Sequence, residues 1–150
     1  MYTKQEAQKQ RQAFWTTFGQ YMQPILSAAG EKINWINYKT GIQGIHFKMD
    51  ADTEQASIAI VFSSNDSDIR RTYYDQLLQL KSVLTETTGE PWDWQPDMQD
   101  EYGKQITKVG IVLDNVNILR KDDWPMIISF LKQRIVALDA FWCMAKYGFE

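Results

Sequence analysis

Apolar side chains recur at steps of three and four over residues 4–23. Phe14, Trp15, Phe18, Met22 and, just beyond, Ile25 fall on one side of a predicted helix. Pro24 lacks an amide hydrogen and pushes the residue before it out of the α region, so the helix should end or kink there, with Ala28, Ala29 and Gly30 as its exit. The short aromatic stretch Asn34–Tyr38, closed by Lys39, Thr40 and Gly41, reads as a strand. Over 44–50 the period falls to two: Ile45, Phe47 and Met49 point one way, His46, Lys48 and Asp50 the other. A turn over 50–54 leads to a second alternating run, 56–62. Ile58, Ile60 and Phe62 share one face there, and Ser57, Ala59 and Val61 the other. Two such runs joined by a short loop predict an antiparallel hairpin.

The turn at 63–68 is rich in helix-capping residues, and Ile69, Tyr73, Leu77, Leu80 and Leu84 then predict one helix over 68–85, stopped by Gly89. Trp92-Asp93-Trp94, between Pro91 and Pro96, reads as an edge strand. Residues 97–104 are polar and expected to be exposed; 105–113 alternate, with Val109, Ile111 and Leu113 together. The last pattern is the longest. Asp122 or Asp123 should cap a helix with Pro125 in its first turn. Trp124, Ile127, Ile128, Leu131, Ile135, Leu138, Trp142 and Ala145 then hold a stripe for over five turns, to Gly148. The order is helix, three strands, helix, one or two strands, helix. This is an α+β fold with a small, mainly antiparallel sheet covered by helices, in one domain spanning 1–150.

Composition supports a packed core: 44% of the 150 residues are hydrophobic and 13% aromatic, which excludes disorder over most of the chain. The net charge of -3 and pI near 5.2 do not indicate nucleic-acid binding, which needs a basic stripe. No apolar run approaches the roughly 18 residues of a membrane span, and the polar start of the chain is no signal peptide; a cytoplasmic protein is expected. The single cysteine, Cys143, can form no internal disulfide and reads as a buried, inert thiol.

The candidate chemistry is sparse. His46, Lys48 and Asp50 put a base, a cation and a carboxylate on one strand face, with Asp52 and Glu54 just beyond; the simpler reading is the solvated face of a hairpin. Asp50, Asp52, Glu54, Asp66 and Asp68 match no calcium-loop spacing, so no metal is expected. No cofactor is expected either, since no phosphate loop, nucleophile elbow or paired-cysteine pattern occurs. Trp35, Tyr38 and Lys39, with Trp92, Trp94 and Tyr102, are binding candidates through stacking or an interface rim; burial under loops is the alternative. Arg70, Arg71, Arg120, Lys121, Lys132 and Arg134 read as solvated surface.

The runs 14–22 and 33–41, then His46–Asp52, Asp123-Trp124-Pro125 and Leu138–Trp142, resemble an uncharacterised bacterial family, a domain of unknown function. Its longer members resemble fusions in which this domain follows a restriction-endonuclease-like nuclease. The resemblance implies a link to DNA processing or defence and supplies no catalytic residues. The order of elements also invites comparison with the restriction-endonuclease-like core. There an acid on one strand and an acid-x-Lys on the next hold magnesium; the nearest match is Asn37-Tyr38-Lys39, with asparagine in place of the acid. The expectation is therefore a non-catalytic interaction module that binds protein, a second copy of itself, or nucleic acid. The alternatives are a divergent or inactive nuclease-like enzyme with a site near His46, Lys48 and Asp50, and a homo-oligomeric structural domain.

Overall fold

The computed structural model describes residues 2–150. Helix α1 (Lys4–Met22) starts at Thr3, whose hydroxyl accepts the Glu6 amide at 3.1 Å, and ends just before Pro24 as expected, but Gln23 is not pushed out of the α region: it keeps helical dihedrals (φ -53°, ψ -43°), so the missing amide of Pro24 ends the helix. Strands β1 (Ile45–Ala51) and β2 (Gln55–Phe62) form the expected antiparallel hairpin, in register from Ile45 opposite Phe62 to Ala51 opposite Ala56. Its turn is fixed by Asp52, whose carboxylate accepts the amides of Glu54 and Gln55 at 2.8 and 2.9 Å. Helices α2 (Ser67–Gln79) and α3 (Lys81–Thr88) follow, then β3 (Asp93–Gln99), β4 (Gln105–Asp114) and the 22-residue α4 (Trp124–Ala145). The strands form one four-stranded sheet in the order β1-β2-β4-β3, antiparallel throughout. The fold is α+β.

Three expectations are corrected. Residues 34–38 form no strand. The Asn34 carboxamide accepts the amides of Ile36 and Asn37 and makes a turn instead, and the rings of Trp35 and Tyr38 turn onto the core. The hairpin is therefore preceded by an irregular loop, and the order of a restriction-endonuclease-like core is not reproduced. The helix predicted over 68–85 is two helices, broken at Leu80 (φ -100°, ψ 11°), where the chain redirects so that α3 packs on α4. The α4 stripe is buried as predicted, but neither aspartate caps it. The Asp123 carboxylate accepts the Asn117 amide at 2.9 Å and orders the preceding loop.

One face of the sheet carries Phe47, Ile58, Ile60, Phe62 and Val109 into a continuous core with Phe14 and Phe18 of α1 and Ile127, Leu131, Ile135 and Leu138 of α4. Each such side chain contributes about 1.5–3 kcal/mol by leaving water. The other face bears a separate small cluster of Ala59, Val61, Ile106 and half-buried Met98, all from strands. Among the described residues no helical residue belongs to it, so no helix covers this face, although Ala59, Val61 and Ile106 are themselves only 2%, 8% and 6% exposed. Gly110 of β4 is needed at its centre: a Cβ there would lie 2.8 Å from that of Ala59 and 2.9 Å from the Ile58 carbonyl oxygen.

Candidate functional site

The alternation of β1 places His46, Lys48 and Asp50 on the uncovered face, all exposed. Cross-strand neighbours on β2 are Val61, Ala59 and Ser57; those on β4 are Lys108, Gly110 and Val112. The β3–β4 loop curls over one end, and Glu101 reaches Lys48 at 3.6 Å, a solvent-exposed pair of little energetic weight. The result is a trough of about 300 Å³, with small apolar residues along its floor and Lys48, Asp50, Asp100, Glu101, Lys104 and Lys108 around it. His46 stands at its margin, with Nε2 2.9 Å from the Ser63 hydroxyl. A serine beside an imidazole suggests a nucleophile and its base. Among the described residues, however, no carboxylate bonds the second ring nitrogen to orient it, and the pair lies on open surface rather than in a pocket.

A larger pocket, about 500 Å³, lies between the loop over 27–40 and the C-terminal turns of α4. Tyr38 and Lys39 line it, as do Asp139, Trp142, Cys143 and Lys146. Asp139 is only 6% exposed, and each of its oxygens is used: one accepts the Tyr38 hydroxyl at 2.5 Å, the other the Ala28 amide at 2.7 Å. Burial pushes the Tyr38 phenol far above its ordinary pKa, and the hydrogen bond and charge of Asp139 push it further. Tyr38 therefore stays a neutral donor and Asp139 a satisfied acceptor. The pair ties the loop to α4 and leaves neither group free as a general base. Behind it, Trp35, Tyr38, Phe47, Trp142 and Phe149 form a ladder of ring contacts 4.9–6.2 Å apart. The indole of Trp142 donates to the Thr40 carbonyl at 2.7 Å and that of Trp35 to Ile25 at 3.0 Å.

Trp35 and Trp92 are thus buried in the core, at 3% and 7% exposure, and present no ring face to a ligand. Trp94 is half-buried, edge-on to Tyr74 at 5.8 Å and beneath the Lys81 ammonium at 5.5 Å. Lys39 and Tyr102 are exposed. The binding candidates are accordingly scattered: only Tyr38 and Lys39 share a pocket, with Trp35 packed behind them. Asn37-Tyr38-Lys39 lies in a loop, not on a strand beside an acid-bearing one.

Three side chains differ from their expected settings. Cys143 is exposed, because α4 turns it one position off the buried stripe toward the pocket. Arg70 is buried at 6% exposure and donates to the Ser64 carbonyl at 2.7 Å, closing the turn before α2. Arg134 lies over the Phe130 ring at 4.1 Å and forks onto Glu90, with both contacts at 2.9 Å. Sequence reasoning missed Asp139 and Arg134 because their partners, Tyr38 and Glu90, are remote in the chain. The only available signal was a lone acid inside the apolar run Leu138–Trp142.

Among the described residues no helix is long and apolar enough to cross a membrane. No curated protein and no solved structure matches the chain. Residues 10–146 do match a family, and over that extent the match settles membership: the chain belongs to the family described as Domain of unknown function (DUF4268).

Proposed function

We propose that this domain is a non-catalytic interaction module that pairs with a second copy of itself through the uncovered face of the sheet. The observation that carries the reading is the character of that face. Ala59, Val61 and Ile106 form an apolar centre that is itself 2–8% exposed, half-buried Met98 and Val112 at 43% exposure present apolar surface beside it, and charged residues of both signs ring it. An apolar centre within a polar rim is the anatomy of a protein interface. Lysines and acids side by side make the patch self-complementary, as a two-fold contact demands. Phosphate backbones suit it less, because Asp50, Asp93, Asp100 and Glu101 stand among Lys48, Lys104 and Lys108. Four strands about 4.8 Å apart and about 23 Å long give a footprint of roughly 450 Å². That is below the about 800 Å² per partner of a stable complex, so the pairing is weak and concentration-dependent.

The resemblance to longer chains bearing a restriction-endonuclease-like domain supports a role beside a nuclease in bacterial DNA processing, in the cytoplasm. In such a chain the module would bring two nucleases together. Amide spectra of the labelled protein, recorded on dilution from about 1 mM, test the contact. Shifts should concentrate on His46, Lys48, Ser57, Lys108 and Val112. Shifts confined to the helical face, or none, contradict it.

A further inference from the structure

A second surface is built differently. Helices α1 and α4 leave a groove of about 530 Å³ between them, lined by Tyr21 of α1, by Trp124, Pro125 and Ile128 at the start of α4, and by Lys121 and Lys132. Its floor is apolar: Trp124 and Ile128 are each 8% exposed, so the edges of core side chains show through. The indole N–H of Trp124 is taken by the Ile118 carbonyl at 2.6 Å, leaving the ring rather than the donor for a ligand. Tyr21, 58% exposed, forms one bank, and Met126, equally exposed, stands on the first turn of α4. The charge is of one sign. Lys121 holds its ammonium 5.9 Å from the Trp124 ring, and Lys132 stands about 12 Å further along α4 at the helical rise per residue. No acidic side chain lines the groove, and among the described residues no carboxylate lies within 4.0 Å of either ammonium.

We infer that this groove docks an acidic amphipathic helix of a partner protein. Two packed helices present a channel into which a third lays apolar residues at i, i+4 and i+7, spanning about 11 Å. Carboxylates flanking those residues would meet Lys121 at one end and Lys132 at the other. The contact is distinct from the sheet face, on the helical side of the molecule, so one copy can pair through the sheet while its groove is occupied.

The probe is a synthetic helical peptide with leucine and tryptophan at those spacings and glutamates beside them. Its controls are the same peptide with lysine for glutamate, and an aromatic carboxylate, 2-naphthoate. Binding is read from amide shifts of the full chain. The inference expects the acidic peptide to shift residues of α1 and α4 around Tyr21 and Ile128, and its lysine counterpart to leave them unchanged. Lys121→Glu with Lys132→Glu, both exposed positions, should weaken binding about tenfold or more. Equal response to both peptides, no response to either at about 1 mM, or undiminished binding by the double variant overturns it. Binding of 2-naphthoate without the peptide also overturns it, in favour of a small-molecule site. Loss of self-association in the double variant would assign the groove to a second copy and overturn it likewise.

Discussion

At the scale of single residues, the most consequential contact is the one between Tyr38 and Asp139. A buried carboxylate is tolerated only when its lone pairs are used, and here a phenol and a backbone amide use them. Tyr38→Phe leaves Asp139 one donor short in a 6% exposed site. A loss of about 1.5–3 kcal/mol is expected, read from urea unfolding. The same contact predicts a pH dependence. The phenol's pKa is raised in the folded state, so the folded chain holds this proton more tightly than the unfolded chain does. The stabilisation is complete below the unfolded tyrosine value of about 10 and declines as pH rises above it. Between about pH 10 and 12 the wild type should lose stability more steeply than Tyr38→Phe; parallel curves would remove the explanation. Cys143 supplies a second check. Being exposed on α4, it should react with a thiol reagent as fast in the folded protein as in urea, whereas slow reaction would mean that the pocket wall covers it.

At the scale of elements, periodicity carried far where a segment's neighbours agree with its own preference. The alternation Ile45-Phe47-Met49 against His46-Lys48-Asp50 became β1 with its two faces as predicted, and the long stripe of α4 is buried along its whole length. It failed where tertiary contacts override local pattern. Trp35, Ile36 and Tyr38 have strand-like side chains, but Trp35 and Tyr38 pack their rings on the aromatic ladder from a turn. Leu80 carries no glycine or proline to announce the break between α2 and α3; the break follows from α3 leaning on α4. The candidate site was legible in part. The trough residues Lys48 and Asp50 follow from strand alternation, whereas Asp100, Glu101 and Lys104 join them only because the β3–β4 loop curls over. Between β2 and β4 the tight point is Gly110. Gly110→Val should cost about 1–3 kcal/mol or more, because the new Cβ meets Ala59 and the Ile58 carbonyl within the pairing itself. A midpoint in urea unchanged from wild type would show that the two strands can part there.

At the scale of the whole molecule, the helices lie on one side of the sheet, and among the described residues no helix packs on the other. One-sided antiparallel sheets are ordinary when the bare face is polar. Here its centre is apolar and its rim is charged in both signs, and the self-pairing proposed above rests on that contrast. Asp139 and Tyr38 bond each other, and His46 lies exposed beside Ser63. The most direct measurement is the mass in solution by sedimentation equilibrium, from micromolar to about 1 mM, under reducing conditions so that exposed Cys143 forms no cross-link. The account predicts that the wild type moves from 17.5 kDa toward twice that value as concentration rises, and that Val112→Glu, altering one exposed residue of the bare face, stays at 17.5 kDa throughout. A wild type that remains at 17.5 kDa over the whole range, or a Val112→Glu variant that associates equally well, would contradict it.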